Sequence, residues 1–170
     1  MASKKKFIPG KTRVLYGGVA FGKEERKAID AILDRNWWGL AEEGRLFEKE
    51  LAKVQGVKRA ILANSGTSAL DLGIRGLQLP KGSEVIISAV TFPTIFNIIL
   101  QCDLIPVVVD AKIGTYNFDV DEVEQAIIKS KGRVKCVIAV HAVGNPCDMP
   151  RLMKVAKKYN VKVIEDNCDG

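Results

Sequence analysis

With 170 residues, 47% of them hydrophobic and 27% charged, the chain fits one globular domain able to bury about 70% of its unfolded surface, and it is neither fibrous nor disordered in composition. No run approaches the ~18 apolar residues of a membrane span, and the basic residues 1–6 are followed by no apolar signal core, so membrane insertion and secretion are not expected and a cytoplasmic location is. The net charge of +6 is partly local, in Lys4, Lys5 and Lys6 and in Lys154, Lys157 and Lys158. It reads either as solvated lysine or as a field that draws anions, while the lack of interleaved aromatics argues against nucleic acid.

In chain order, residues 1–22 carry turn residues and little period and read as an irregular arm. Residues 24–35 place Ala28, Ile29, Ile32 and Leu33 at helical spacing behind Glu24 and Glu25, which suit the positive end of a helix. After the break at Asn36-Trp37-Trp38-Gly39, residues 43–54 form a second amphipathic helix with Leu46, Phe47, Leu51 and Val54 on one face. From Val57 the pattern changes. Apolar, β-branched runs at 59–63, 84–88, 105–109, 134–140 and 161–164 alternate with helical stretches at 67–77, 94–101, 120–129 and 149–159. Turns are marked by Pro80-Lys81-Gly82-Ser83 and by the longer loop 110–117. Continuous strands separated by helices predict an α/β fold of three layers, with a mainly parallel sheet covered by helices on both faces.

Two segments carry chemistry. Asn64-Ser65-Gly66-Thr67-Ser68-Ala69-Leu70 follows an apolar run and opens a helix, where unpaired amides and the helix dipole suit a phosphate. Gly66 permits close backbone approach, and Thr67 and Ser68 offer hydroxyls; the competing reading is plain N-capping. The segment is neither a P-loop nor a G-x-G-x-x-G fingerprint. Near the other end, Val161-Lys162-Val163-Ile164 delivers Glu165 and Asp166 to the carboxyl edge of the sheet, where ligands of open α/β folds bind. A buried Asp166 could pair with a protonated ring nitrogen, an attraction of about 4 kcal/mol at ~4 Å in a partly screened site; a helix cap on the next loop is the alternative. Phe92, just past the 84–88 strand, could stack on a flat ring or simply pack. His141 ends the 134–140 strand on the same edge and is either structural or a titrating group. Cys102, Cys136, Cys147 and Cys168 form no C-x-x-C pair and have only one histidine for company, so no metal or redox centre is expected and buried free thiols are.

Taken together, the motifs resemble one family. Phe47-Glu48 followed by Gly56-Val57, Asn64 through Leu70, Gly82-Ser83-Glu84-Val85-Ile86, Thr91-Phe92, Pro106-Val107-Val108-Val109-Asp110 and Ile164-Glu165-Asp166 are similar to the N-terminal part of the DegT-type sugar aminotransferases, pyridoxal-phosphate enzymes of fold type I. Gly114-Thr115-Tyr116-Asn117, Gly144-Asn145-Pro146 and Glu165-Asp166-Asn167-Cys168-Asp169 are closest to the CDP-4-dehydro-6-deoxyglucose 3-dehydratase and lipopolysaccharide-biosynthesis branch. The resemblance implies that residues 23–170 are a partial cofactor-binding large domain. It implies that Gly66, Thr67 and Ser68 hold the cofactor phosphate, Phe92 stacks on the pyridine ring and Asp166 pairs with its nitrogen. It places Asp169 near the phenolic oxygen and His141 beside the site as a possible catalytic residue, with no metal ligand among residues 1–170. It further implies a nucleotide-linked keto-deoxysugar as substrate, transamination or C3 dehydration as the reaction, and a homo-oligomer or a complementing C-terminal chain as partner. The lysine of the family's Schiff base, or the histidine that replaces it in the dehydratase branch, matches nothing here, so turnover by this chain alone is not expected.

Two rivals stay open on sequence. One is a non-catalytic module binding a phosphorylated ligand or a partner chain. The other is an unrelated nucleotide-binding α/β domain, against which the missing glycine fingerprint counts.

Overall fold

A computed structural model describes residues 7–13 and 18–169, which fall into two compact units, residues 1–60 and 61–170. The Lys4–Lys6 run and parts of the expected arm, residues 1–6 and 14–17, lie outside the described residues.

In the first unit, residues 7–13 and 18–22 contain neither helix nor strand. A turn at Ile8 is closed by Thr12, whose Oγ1 accepts from the Ile8 amide at 2.7 Å. Helix α1 (Lys23–Asp34) starts where Glu25 Oε2 accepts from the Gly22 amide at 2.7 Å, and Arg26 lies 6.0 Å from the Phe21 ring centre. Helix α2 (Glu42–Val54) begins with Glu42 and Glu43, and Arg35 is ion-paired to Glu43 across the break between the helices. Neither helix buries a residue.

The second unit holds the sheet. Its elements are α3 (Gly66–Gly76), β1 (Glu84–Ser88), α4 (Thr94–Gln101), β2 (Ile105–Val109), α5 (Val120–Lys129), β3 (Val134–Val140), a short 3-10 turn (Ala142–Gly144), α6 (Met149–Tyr159) and β4 (Lys162–Asp166). The four strands pair in parallel in the order β2-β1-β3-β4. The central β1 is buried at every position, whereas the edge strands β2 and β4 are open for most of their length. This is the burial that continuous apolar runs predict for a sheet covered on both sides.

Strand alternation divides the core in two. On one face Val85, Ile87, Cys136, Ile138 and Val140 pack with Leu70 and Ile74 of α3 and with Ile95, Ile98 and Ile99 of α4. On the other, Ile86, Val137 and Ala139 pack with Val123 and Ile127 of α5 and Leu152 of α6. The phase slips once: the β1–β3 register jumps from Glu84↔Val134 to Val85↔Cys136. Lys135 is the extra residue of that bulge, and so Val134 and Cys136 fall on opposite faces.

The expected three-layer parallel fold is present; α4, α5 and α6 have the expected bounds, α1, α2 and α3 differ from them by one residue, and β4 runs two residues beyond the expected end at 164. One element differs. Residues 59–63 form no strand, although the run Ile61-Leu62-Ala63 is apolar. A strand requires a ladder partner as well as propensity, and the four-stranded sheet of the described residues does not include this segment.

Candidate functional site

The sheet order reverses between β1 and β3, the place where open parallel sheets leave a crevice beyond their carboxyl ends. A cleft of about 250 Å³ lies there. Its walls come from the start of α3 (Gly66, Thr67, Leu70), the segment after β1 (Phe92, Thr94), the end of β3 (Val140) and the end of β4 (Asp166, Cys168, Asp169).

At the α3 corner, Ser65 is the N-cap: its Oγ accepts from the Ser68 amide at 3.1 Å and lies 3.1 Å from Ser68 Oγ. Both the capping reading and the phosphate reading of this turn thus have a physical basis. The cap takes up Ser68, which stands outside the cleft lining. The Gly66 and Thr67 amides, by contrast, belong to the first helical turn, whose donors have no partner within the helix, and both residues line the cleft.

At the β4 corner, parity decides which carboxylate enters. Ile164 packs on the α3–α4 face, so Glu165 points to the opposite face and Asp166 returns to the α3 side. Asp166 is only 6% exposed. Its Oδ1 accepts from the Cys168 amide at 3.0 Å, and it enters no ion pair among the described residues. A buried carboxylate without a cation is costly, and one facing a cleft is suited to a cationic ligand.

The same parity carries His141 away. Val140 faces the cleft, and His141, one residue on, is buried behind it. His141 Nδ1 accepts from the Cys147 amide at 3.1 Å, which leaves the proton on Nε2, 3.2 Å from Glu165 Oε2. Its backbone amide donates to the Asp166 carbonyl at 3.0 Å. His141 therefore braces the ends of β3 and β4 and does not line the cleft.

Phe92 stands at the rim, 67% exposed, and Asp169 joins the lining. Of the sequence-predicted residues, Gly66, Thr67, Phe92, Asp166 and Asp169 are brought together, while Ser68 and His141 are not. Sequence reasoning missed Leu70, Thr94, Val140 and above all Cys168. The four thiols are free, as expected, but only Cys136 and Cys147 are buried; Cys102 is half-buried and Cys168 exposed at the cleft. The signal that could have found Cys168 is its place two residues past a strand that ends in a carboxylate.

Residues 20–170 match the DegT/DnrJ/EryC1/StrS aminotransferase family. The chain belongs to that family. Among its relatives, a dTDP-4-dehydro-2,6-dideoxy-D-glucose 3-dehydratase of Saccharopolyspora spinosa is 35% identical, over 96% of this chain and 37% of its own length. The lipopolysaccharide biosynthesis protein RfbH of Salmonella typhimurium is 36% identical, over 99% of this chain and 40% of its own. In three dimensions, the E. coli GDP-4-keto-6-deoxy-D-mannose-3-dehydratase, solved with bound hydrated PLP, superimposes with a TM-score of 0.83 at 30% identity, over 90% of this chain and 40% of its own. The chain thus spans about two-fifths of the length of these relatives. No helix among the described residues is long and apolar enough to cross a membrane.

Proposed function

We propose that residues 23–170 form part of the cofactor-binding large domain of a pyridoxal-phosphate-dependent enzyme acting on nucleotide-linked keto-deoxysugars. The reaction is transamination or C3 dehydration, in the cytoplasmic synthesis of cell-surface polysaccharide. The observation that carries the reading is the buried, cation-free carboxylate of Asp166 across one cleft from the open start of α3. Pyridoxal phosphate bears an anion and a ring nitrogen that can hold a proton, so its two ends match the two corners.

In this reading the Gly66 and Thr67 amides and the Thr67 hydroxyl hold the phosphate, with Ser68 kept in place by the Ser65 cap. Phe92 covers one ring face, which limits tilt and excludes water. Asp166 holds the proton on the ring nitrogen, and Asp169 lies toward the ring's oxygen substituent. When bound, the cofactor supplies an electron sink for carbanion chemistry. His141 serves through its brace on β4 and not as an acid or base. Relatives of the chain that act on dTDP- and GDP-linked sugars support the substrate class. A homo-oligomer or a complementing chain is part of the proposal.

The test is a pyridoxal-phosphate titration of the chain, followed by absorbance and thermal shift, beside Asp166→Ala. Saturable uptake that the variant loses supports the reading. A second reading, a phospholigand-binding module, is favoured by the α3 corner, which needs only a phosphate. Under it, inorganic phosphate would protect as well as the cofactor does, and Asp166→Ala would change nothing.

A further inference from the structure

Two motifs singled out in the sequence, Gly114-Thr115-Tyr116-Asn117 and Gly144-Asn145-Pro146, stand outside the cleft lining, yet they are bonded to one another. Asn117 is only 6% exposed, and both ends of its side-chain amide are engaged by the turn that follows β3. Nδ2 donates to the Asn145 carbonyl at 3.0 Å, and Oδ1 accepts from the Ala142 amide at 3.3 Å. Asn145 Nδ2 donates in return to the Thr115 carbonyl at 3.4 Å. A carbonyl only accepts and an amide N–H only donates, so this arrangement needs a donor and an acceptor side by side at position 117. The loop that presents Asn117 is itself knit together. The Lys112 amide donates to the Asn117 carbonyl at 2.8 Å, Ala111 bridges Phe118, and Lys112 Nζ lies 2.8 Å from Asp119 Oδ2.

The turn so held supports the β4 corner of the cleft. The His141 amide donates to the Asp166 carbonyl at 3.0 Å. Further along the turn, a Cβ built on Gly144 would lie 3.5 Å from the Asp169 carbonyl oxygen, so the backbone there packs against Asp169. The two carboxylate residues that line the cleft therefore rest, through their own backbones, on one turn. The bonds from Asn117 bracket Val143, whose φ of 54° is a conformation that a valine keeps only where its surroundings impose it.

We propose that Asn117 is a positioning residue: its buried amide fixes residues 142–145 and, through them, the placement of Asp166 and Asp169 in the cleft. The ligand's identity rests on the reading above. Asn117 touches no ligand and moves no proton. It acts by preorganisation, since carboxylates held in place beforehand need not be ordered when the ligand arrives.

The experiment has two arms. The first needs no cofactor. Amide hydrogen exchange of the chain is followed by NMR in wild type, Asn117→Ala and Asn117→Asp, the last of which keeps the acceptor and loses the donor. Either variant that folds, judged by circular dichroism, suffices. Exchange at the His141 and Cys168 amides, which bond to Asp166 and not to Asn117, is expected to rise about ten-fold beyond any rise at Ile86 in the central strand. A rise confined to Ala142 and Asn145, or no larger than that at Ile86, overturns the proposal.

The second arm measures the affinity of the same proteins for pyridoxal phosphate and for inorganic phosphate. Asn117→Ala is expected to weaken pyridoxal phosphate about ten-fold and to leave inorganic phosphate, which needs only the α3 corner, unchanged. Unchanged affinity for pyridoxal phosphate overturns the proposal, as does an equal loss for both ligands, which a general loosening of the fold would give. A wild-type chain that binds no pyridoxal phosphate overturns the reading of the cleft instead, and the exchange arm then still decides whether Asn117 holds the Asp166–Asp169 segment.

Discussion

Cys168 Sγ occupies the space that a Cβ on Gly66 would need, at a separation of 2.5 Å. No non-bonded carbon and sulfur tolerate that distance, so Gly66→Ala must turn the thiol out of its place or shift the start of α3. Overpacking of this kind costs about 1–3 kcal/mol. With the sulfur removed, the balance reverses, since alanine in a helix is favoured over glycine by about 0.5–1 kcal/mol. Gly66→Ala should thus destabilise the wild-type chain and be neutral or stabilising in a Cys168→Ala background. Urea denaturation of the four-member cycle checks it, and additive effects would show that the two residues do not meet.

At the opposite end of the sheet, Arg133 Nε donates to Glu84 Oε1 at 2.6 Å. Glu84 begins the central strand and its side chain is only 12% exposed, so Arg133→Ala leaves a nearly buried carboxylate without a cation. A loss of about 1–3 kcal/mol is expected. Because this pair sits at the amino ends of the strands and the cleft at their carboxyl ends, ligand affinity should not change. Parallel thermal-shift and titration measurements on Arg133→Ala separate the two effects.

The sheet was legible because its central strands are unbroken apolar runs, and the helices because their apolar spacing and caps agree. Residues 59–63 show where this fails: propensity is local, but a ladder partner is not written in the segment itself. The site was half legible. Strand parity explains why Asp166 reaches the cleft while Glu165 and His141 do not, yet parity can be applied only once the facing helix is known. Ile164, seated against α3, supplies that reference. Cys168 escaped for another reason: its local signal, two residues past a strand that ends in a carboxylate, is faint, and its seat against Gly66 joins positions about a hundred residues apart.

The buried thiols set an alkaline limit on stability. Burial raises Cys136 to about 12 and, with some help from Glu165, Cys147 to about 11, against an ordinary value of 9.0. A folded-state pKa above the unfolded one means the native chain keeps protons that the unfolded chain releases. The contribution is therefore full below pH 9.0 and falls as pH rises toward 11–12, by at most about 1.4 kcal/mol per pH unit per thiol. Thermal unfolding from pH 8 to pH 11 should show this decline, and Cys136→Ala, though less stable at neutral pH through its lost packing, should show a shallower one. Equal slopes in the two proteins would place the alkaline loss elsewhere.

Val143 stores backbone strain next to the site. It lies in the left-handed region at φ 54°, ψ 29°, where a β-branched side chain crowds its own backbone, and it is 66% exposed, so little packing compensates. The turn it occupies, Ala142–Gly144, is held by the Ala142 amide donating to Asn117 Oδ1 at 3.3 Å and by the Gly144 amide donating to the His141 carbonyl at 3.1 Å. Those bonds fix the turn irrespective of the residue at 143. Val143→Gly relieves the strain but gives back entropy to the unfolded chain, so the net gain should be about 1 kcal/mol or less. Val143→Asn, which tolerates the same region with less unfolded freedom than glycine, should gain at least as much. A melting temperature unchanged or lowered in both variants would show that Val143 carries no net strain in this turn.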